Sequence, residues 1–135
     1  MKKYNPTTPS RRSMTTVPYR ELLTTSTPQK SLTHGFRRGS GRNKDGRITM
    51  RHKGGGHKRR FREIDFKMNK LNVPGTIKSV EYDPNRTGFI ALVSYRDGDK
   101  RYILAPKSVV VGQNIVTADN APILPANRLM LKNIP

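Results

Sequence analysis

From residue 61 onward, apolar residues occur in short runs that are separated by turn-forming residues. Ala91 and Val93 lie on one face of the third run, while Ile90 and Leu92 lie on the other, so both faces are apolar. This is typical of a central strand in a closed antiparallel sheet. Spacing and turn residues together predict six strands: 61–67, 76–82, 88–95, 100–105, 113–117 and 128–132.

Two turn motifs support these strands. Proline fixes the second position of the motif Asp83-Pro84-Asn85-Arg86, and its aspartate accepts hydrogen bonds at the first. Asp97-Gly98 is a tight hairpin signal. Longer loops are expected at 69–75 and 118–127, and no segment predicts a helix of two turns or more. The predicted fold class is mainly β: a small OB-like Greek-key β-barrel that follows a long, extended, basic N-terminal arm.

The first 40 residues have a different character. They contain four prolines and many hydroxyl side chains, with no periodic apolar pattern. Such a composition is typical of an extended segment that has no core of its own and becomes ordered on a partner. Tyr4, Tyr19 and Phe36 are expected to pack on the barrel rather than stack on bases. We therefore predict a basic N-terminal extension with an RNA-clamping loop at 1–60 and an OB-like barrel domain at 61–135.

The charge of the chain points to an anionic partner. The net charge is +18 and the pI about 11.0. Residues 1–70 carry 19 Lys and Arg against 4 acids, while residues 71–135 carry 8 against 5. A chain this basic binds nucleic acid or, less commonly, an acidic membrane surface. The asymmetry assigns most of that binding to the N-terminal half.

Residues 41–67 combine dense positive charge with consecutive glycines. Nine Lys and Arg residues stand against Asp45 alone between Arg42 and Arg62. Glycines lack a Cβ, so their backbone can take positive φ and direct its N–H groups at phosphate oxygens. Cationic and imidazole side chains beside the glycines suit phosphate and sugar contacts. The candidate RNA-binding residues are Arg11, Arg12, Arg37, Arg38, Arg42, Arg47, Arg51, His52, Lys53, Gly54, Gly55, Gly56, His57, Lys58, Arg59, Arg60 and Arg62.

A disordered basic linker is the alternative interpretation of this stretch. Apolar residues flank it, with Ile48 and Met50 before the glycines and Phe61, Ile64 and Phe66 after them. We expect these side chains to anchor the loop to the folded domain.

Several chemistries lack the residues they need. The glycine run has neither the spaced glycines nor the Lys followed by Ser or Thr of a nucleotide-binding loop. With no cysteine and no carboxylate cluster near His52 and His57, a metal site is not indicated. No paired carboxylates or activated nucleophile point to catalysis. The sequence thus predicts no enzyme, cofactor or metal, and it shows neither a membrane span nor a signal peptide.

Three motifs in order resemble the N-terminal half of the universal large-subunit ribosomal protein L2 family. They are SGRNKDGRITMRHKGGGHKRRFREIDF, IKSVEYDPNRTGFIALVSY and DGDKRYILAPK. The opening PTTPSRRSMTT and the closing LMLKNIP are similar to the bacterial form. The resemblance implies a structural constituent of the large subunit that binds rRNA, with neighbouring ribosomal proteins as partners. It also implies a ribosomal, cytoplasmic location, although an organellar ribosome stays open because residues 1–40 share features with transit peptides.

The family also has a second barrel, which we expect to be absent because the sequence stops at Pro135. The family's contribution to the peptidyl-transferase centre is placed on a histidine of that second half. The resemblance therefore gives this role to none of His34, His52 and His57, and any proximity to tRNA or the small subunit would come through the missing half.

Two rival functions remain open from the sequence. One is a non-ribosomal OB-type module that binds single-stranded nucleic acid through exposed aromatic residues. The other is a basic protein of the membrane surface, which is disfavoured because no stretch forms an amphipathic helix with a clean apolar side.

Overall fold

The centre of the molecule is a four-stranded antiparallel sheet. The computed structural model describes residues 1–36 and 38–134. It is mainly β, and the sheet curls into a half-barrel of the OB-like type, as predicted. The strands of the sheet are β5 (Gly75–Glu81), β6 (Ile90–Tyr95), β7 (Lys100–Leu104) and β8 (Asn114–Ile115). They lie side by side in the order β7-β6-β5-β8.

Strand β6 has buried side chains on both faces. Ala91, Val93 and Tyr95 belong to one core cluster, which includes Ile77 and Ile103. Ile90 and Leu92 point the opposite way and pack with Tyr102 in a second cluster. The predicted central position of this strand is confirmed, because β6 lies between β5 and β7.

The two predicted turns are present. At the β6–β7 hairpin, the Tyr95 N–H donates to the Asp99 carbonyl at 2.9 Å, and Gly98 takes a φ of 87°. In the other turn, the Asp83 carboxylate accepts the backbone N–H of Asn85 at 3.0 Å and the Nε–H of Arg86 at 2.6 Å. The chain therefore reverses where the turn chemistry predicted it.

The N-terminal arm consists of short elements that lie on the barrel. In the described part of residues 1–40 no side chain is buried, in agreement with an arm that lacks its own core. Each α-helix is one turn long, and no described helix is both long and apolar enough to cross a membrane. The elements are β1 (Lys2–Lys3), α1 (Pro9–Arg12), β2 (Thr15–Thr16), α2 (Tyr19–Leu22), a 3-10 turn (Lys30–Leu32) and β3 (Thr33–Gly35).

Aromatic contacts hold part of this arm in place. The Tyr19 ring meets the rings of Tyr82 and Phe89 edge to face, with centroids 5.3 and 5.9 Å apart. The Phe36 ring packs in the same manner on Phe61 at 5.6 Å. These contacts agree with the expectation that Tyr19 and Phe36 pack on the domain, whereas the Tyr4 hydroxyl contacts Thr16 of the arm itself at 3.0 Å.

The predicted strand 61–67 is wrong in its length. Strand β4 covers only Arg60–Arg62, and it pairs antiparallel with β3 from the arm. After β4 the chain leaves the ladder, and Ile64 forms an isolated bridge to Tyr102 on the edge of β7. The whole basic stretch between Gly35 and Arg60 is therefore the connection of a β-hairpin.

The predicted strand 128–132 is absent, and β8 has two residues rather than the five expected. Arg128 forms a single parallel bridge to Thr117, after which Leu131–Asn133 is a 3-10 turn. The Asn127 side-chain oxygen accepts the N–H of Val116 at 3.0 Å. Backbone hydrogen bonds flank the bridge, from the Arg128 N–H to the Val116 carbonyl at 3.0 Å and from the Ala118 N–H to the Arg128 carbonyl at 3.1 Å, and the pairing ends as the chain enters the 3-10 turn.

Candidate nucleic-acid interface

The basic loop, residues 36–59, is carried by the two-stranded stem of β3 and β4. The stem has three residue pairs, Thr33 with Arg62, His34 with Phe61 and Gly35 with Arg60. Arg37 lies outside the described residues, so its predicted contact has no structural counterpart here. The stem holds both ends of the loop at one place on the barrel.

The first part of the loop folds on itself through local hydrogen bonds. The Asn43 side-chain oxygen accepts the N–H groups of Asp45 at 3.0 Å and Arg47 at 2.9 Å. The carbonyl of Gly41 accepts the N–H groups of Thr49 and Met50 at 2.8 and 3.1 Å. Residues 41–50 thus form a defined turn structure, which differs from the alternative of an unstructured linker.

The prediction that five apolar side chains anchor the loop to the folded domain is mostly wrong. Ile48, Met50 and Phe66 are exposed, and Phe61 is partly so. Ile64 alone of the five packs on a core cluster. Backbone hydrogen bonds and the β3–β4 stem, rather than apolar burial, give the loop its shape.

Gly41 has a specific structural reason to be glycine. Its φ is +69°, and a Cβ at this position would lie 2.2 Å from the Met50 carbonyl oxygen. No real side chain tolerates that distance from a backbone atom, so the chain can close here only without a Cβ. The close approach brings residues 38–42 alongside residues 49–56.

The glycine run differs from Gly41 because it faces open space. Gly54 and Gly55 take φ values of +109° and +68°, and a Cβ on either would meet no atom within 4 Å. At Gly56 the nearest atom to such a Cβ is the Arg38 Nη1, at 3.2 Å. Successive exposed amides of this kind, with a guanidinium beside them, form a surface suited to anions.

These segments enclose an open cleft of about 840 Å³. Its lining contains cationic side chains and bare backbone but no Asp or Glu. The lining residues are Arg38, Gly39, Ser40, Gly41, Arg42, Thr49, Met50, His52, Lys53, Gly54, Gly55 and Gly56. A second cleft of about 500 Å³ shares residues 38–40 and Arg42 with it and extends to Asn43, Lys44 and Gly46.

The cations of the loop are not neutralised by the protein. Within the described residues, no salt bridge involves any side chain from 38 to 59. Asp45 is the single acid of this stretch, and its carboxylate receives only a long contact, 3.4 Å, from the Asn43 amide. The positive charge is therefore available to a ligand.

The structure separates the predicted residues into groups. Arg38, Arg42, His52, Lys53 and the three glycines line the large cleft. Around it, on the loop and its stem, further side chains point outward with their charges at least partly exposed; these are Arg47, Arg51, His57, Lys58, Arg59 and Arg60.

Three predicted residues lie apart from the cleft. Arg11 and Arg12 are exposed on α1, with the Arg11 guanidinium 5.5 Å from the Tyr4 ring centroid. Arg62 is only 8% exposed, and its Nη1 donates to the Arg60 carbonyl at 3.0 Å. Its charge is turned into the base of the stem, away from the loop surface.

Sequence reasoning missed residues that line the second cleft. Lys44 and Asn43 lie on its wall beside Arg42. Lys44 entered the charge count of the segment but not the list of contact residues, since it stands farther from the glycines. Its signal was the charge itself, whereas its position depends on the turn that Asn43 forms.

In the described ranges, His, Cys, Asp and Glu nowhere form a group of three or more that would hold an ion.

A comparison with protein families gives a match over most of the barrel and the loop. The family described as Ribosomal Proteins L2, RNA binding N-terminal domain, matches residues 29–117 of this chain. The match covers two thirds of the chain, from the 3-10 turn before β3 through β8. It includes the entire basic loop and both clefts.

Proposed function

Since this chain belongs to the ribosomal protein L2 family through the RNA-binding N-terminal domain of that family, we propose that its basic loop binds folded large-subunit rRNA as a structural element of the ribosome. The family is one of structural RNA-binding proteins, so the function to explain is binding rather than catalysis. The observation that carries the proposal is the cleft at the loop, whose lining holds cations and exposed glycine backbone without a carboxylate.

The chemistry of the cleft fits the ribose-phosphate backbone. Arg38 and Arg42 offer planar guanidinium groups that donate two parallel hydrogen bonds to a phosphate, while Lys53 offers a compact charge. Gly54 and Gly55 are exposed, and a Cβ on either would meet no atom within 4 Å, so their amides are open to a ligand. These contacts position a protein on RNA through its backbone, and recognition then depends on the shape of the RNA rather than on base edges.

Counterion release accounts for the energetics. If the loop and arm neutralise about six to ten phosphates, affinity falls on the order of 10³ to 10⁵ between about 50 and 200 mM salt. The RNA supplies the negative charge that the loop lacks within the protein. The binding free energy therefore comes mainly from charges that are unpaired in the free chain.

The wider assignments follow from the family and are part of the proposal. Neighbouring ribosomal proteins are the expected protein partners, and the cytoplasmic ribosome is the expected location. Roles in subunit association and in support of tRNA and the peptidyl-transferase centre are proposed at the level of the family. The exposed cations on α1, including Arg11 and Arg12, extend the proposed RNA surface into the arm.

Footprinting on large-subunit rRNA across a salt series tests the proposal, with a random RNA of equal length as the control. We expect discrete protected sites on the rRNA that survive higher salt than binding to the random RNA. Equal and equally salt-sensitive binding to both RNAs would contradict recognition of folded rRNA. A preference for unstructured oligonucleotides would instead support the single-strand-binding function.

A further inference from the structure

A buried polar group lies under the stem that carries the basic loop. Tyr102 is 0% exposed, and its hydroxyl donates to the Glu81 Oε2 at 2.6 Å. Glu81 is 3% exposed, and its Oε1 accepts the Ser79 hydroxyl at 2.7 Å. The Tyr102 hydroxyl oxygen in turn accepts the backbone N–H of Gln29 at 2.7 Å. A carboxylate in the core is thus joined to the arm through one phenol.

This group sits where both strands of the stem leave the barrel. Gln29 directly precedes the 3-10 turn that leads into β3. On the other side of the stem, the N–H of Asp65 donates to the Tyr102 carbonyl at 2.8 Å, just after β4. Leu32 and Ile64 pack on the Tyr102 cluster from the two sides. Tyr102 therefore touches the incoming and the outgoing chain of the loop.

The surroundings of the Tyr102 hydroxyl keep it protonated, so that it acts as a hydrogen-bond donor to Glu81. Burial and the hydrogen bond to Glu81 raise the pKa of Tyr102 well above its usual value, so the hydroxyl keeps its proton. Arg62, at the end of β4, is also buried, and in the described part of the chain its Nε has no hydrogen-bond partner. A buried guanidinium and a buried carboxylate near one phenol demand a fixed arrangement, because each is costly when its surroundings shift.

The stem itself is too small to fix the direction of the loop. It contains three residue pairs, and an isolated two-stranded hairpin is marginally stable at best. A long cationic loop on such a stem would bind any polyanion, but it would match a folded RNA only if its orientation were set. The hydrogen-bonded group of Tyr102, Glu81 and Gln29 under the stem, which we call the anchor, supplies that orientation.

We infer that Tyr102 is a positioning residue, whose hydroxyl fixes the basic loop relative to the barrel and thereby sets the preference for folded rRNA over unstructured RNA. The inference rests on the proposed function, since it concerns how the same loop discriminates between RNAs. The inference assigns two properties of RNA binding, overall affinity and discrimination between RNAs, to different parts of the protein. The number of phosphates contacted depends on the loop's cations, whereas the discrimination between RNAs depends on the anchor.

Two substitutions remove the anchor from opposite sides. Tyr102→Phe keeps the ring in the core and deletes the hydroxyl. Gln29→Pro deletes the N–H donor from the arm side, and its ring Cδ takes the place of that hydrogen and pushes the Tyr102 hydroxyl away; the φ of Gln29, −61°, already suits proline. The matched controls are Tyr95→Phe, which removes a hydroxyl from the other core cluster, and Gln29→Ala, which keeps the N–H.

Hydrogen exchange on the free protein is the first measurement. Tyr102→Phe loses the hydrogen bonds to Glu81 and from Gln29, and Gln29→Pro loses at least the second of them. Amides of the stem should therefore exchange at least about tenfold faster in both variants. Amides of the β5–β6 ladder should keep their wild-type rates, and the two controls should change neither set. Unchanged stem exchange in both anchor variants would overturn the inference without touching the proposed function.

RNA binding is the second measurement, with folded large-subunit rRNA and a random RNA of equal length compared in a salt series. The anchor variants should lose on the order of tenfold in the ratio of the two affinities while the salt slope stays as in wild type. A wild-type ratio that persists in both variants would overturn the inference alone. A wild-type protein that fails to prefer the rRNA would overturn the proposed function, and the exchange rates would then decide whether the anchor exists.

Discussion

The barrel and the basic loop use charge in opposite ways. On the barrel, Lys70 contacts Asp97 at 2.6 Å and Asp99 at 2.7 Å, and Arg101 contacts Asp65 at 2.7 Å. In the described loop residues 38–59 no cation has such a partner. Charges that are paired within the protein stabilise its fold, and charges left without a partner are available to bind an external polyanion. The comparison separates residues that hold the domain together from residues that we propose contact RNA.

Glycines show the same division. Gly75 in β5 is held by packing, because a Cβ there would lie 2.6 Å from the Val93 Cγ1 and 3.1 Å from the Tyr95 ring. At Gly54 and Gly55 in the loop, a Cβ would meet none of the described atoms within 4 Å. The barrel glycine is required by the protein's own core, whereas the loop glycines leave backbone free for a ligand. This difference agrees with our proposal that the loop binds a surface outside this chain.

The largest effect is expected for Asp83→Ala in the barrel. Asp83 is 0% exposed and accepts from Arg86 and from Asn85, so its loss leaves several donors without a partner. We expect the free energy of unfolding to fall by about 3 kcal/mol, as measured by urea denaturation. Asp119→Ala, at an exposed acid in a loop, is the control and should cost less than about 0.5 kcal/mol. Equal effects of the two substitutions would show that the paired charges do not stabilise the barrel.

The next effect is expected for Gly41→Ala in the loop. The added Cβ would collide with the Met50 carbonyl, so residues 41–50 must open. We expect affinity for folded rRNA to fall on the order of tenfold, about 1.4 kcal/mol, with an unchanged melting temperature of the barrel. Gly46→Ala is the control, because Gly46 also has a positive φ of +78° but open space around it. A barrel that melts earlier in Gly41→Ala, or equal binding losses in both variants, would argue against an independently folded loop.

A smaller effect on the stability of the barrel is expected when the pH is lowered. The hydrogen bond from Lys70 holds the pKa of Asp97 below the ordinary 3.8, and hydrogen bonds from Lys70 and Arg101 do the same for the pKa of Asp99. A lowered carboxylate pKa contributes stability above the unfolded-state value, and this stability is lost as pH falls through the folded-state value. The melting temperature should therefore change little from pH 7 to about 5 and drop below about pH 4. Lys70→Met should make this drop shallower, and parallel curves for the two proteins would count against the ion-pair network.

Much of the barrel follows from its sequence because local signals and tertiary contacts agree there. The apolar alternation around Ile90 and Ala91 predicts two buried faces, and the two core clusters confirm this. Asp97-Gly98 predicts a hairpin, and Gly98 has the positive φ that such a turn requires. In these segments each residue's preference is consistent with its environment.

The strands that were missed depend on distant partners. β4 pairs with β3, which lies more than 20 residues earlier across the basic loop, and neither strand is long enough to show a period. The strand predicted at 128–132 is reduced to one bridge, because the chain enters a 3-10 turn at Leu131–Asn133 instead of staying extended. Of the candidate site, the cationic composition was visible in the sequence. The burial of Arg62 was not, because it depends on the stem above Tyr102.

The most direct test of the account compares two triple substitutions of equal charge. Lys58→Ala, Arg59→Ala and Arg60→Ala together remove cations at the end of the loop and the start of its stem. Lys78→Ala, Lys100→Ala and Lys107→Ala together remove exposed barrel cations. Affinity for large-subunit rRNA would be measured in a salt series, with circular dichroism as a check of the fold. For the loop variant we expect the salt slope to decrease by about 3 and the affinity to fall at least about tenfold, with an intact barrel spectrum. An unchanged loop variant, or an equal loss in both, would contradict the claim that the loop's unpaired cations carry RNA binding.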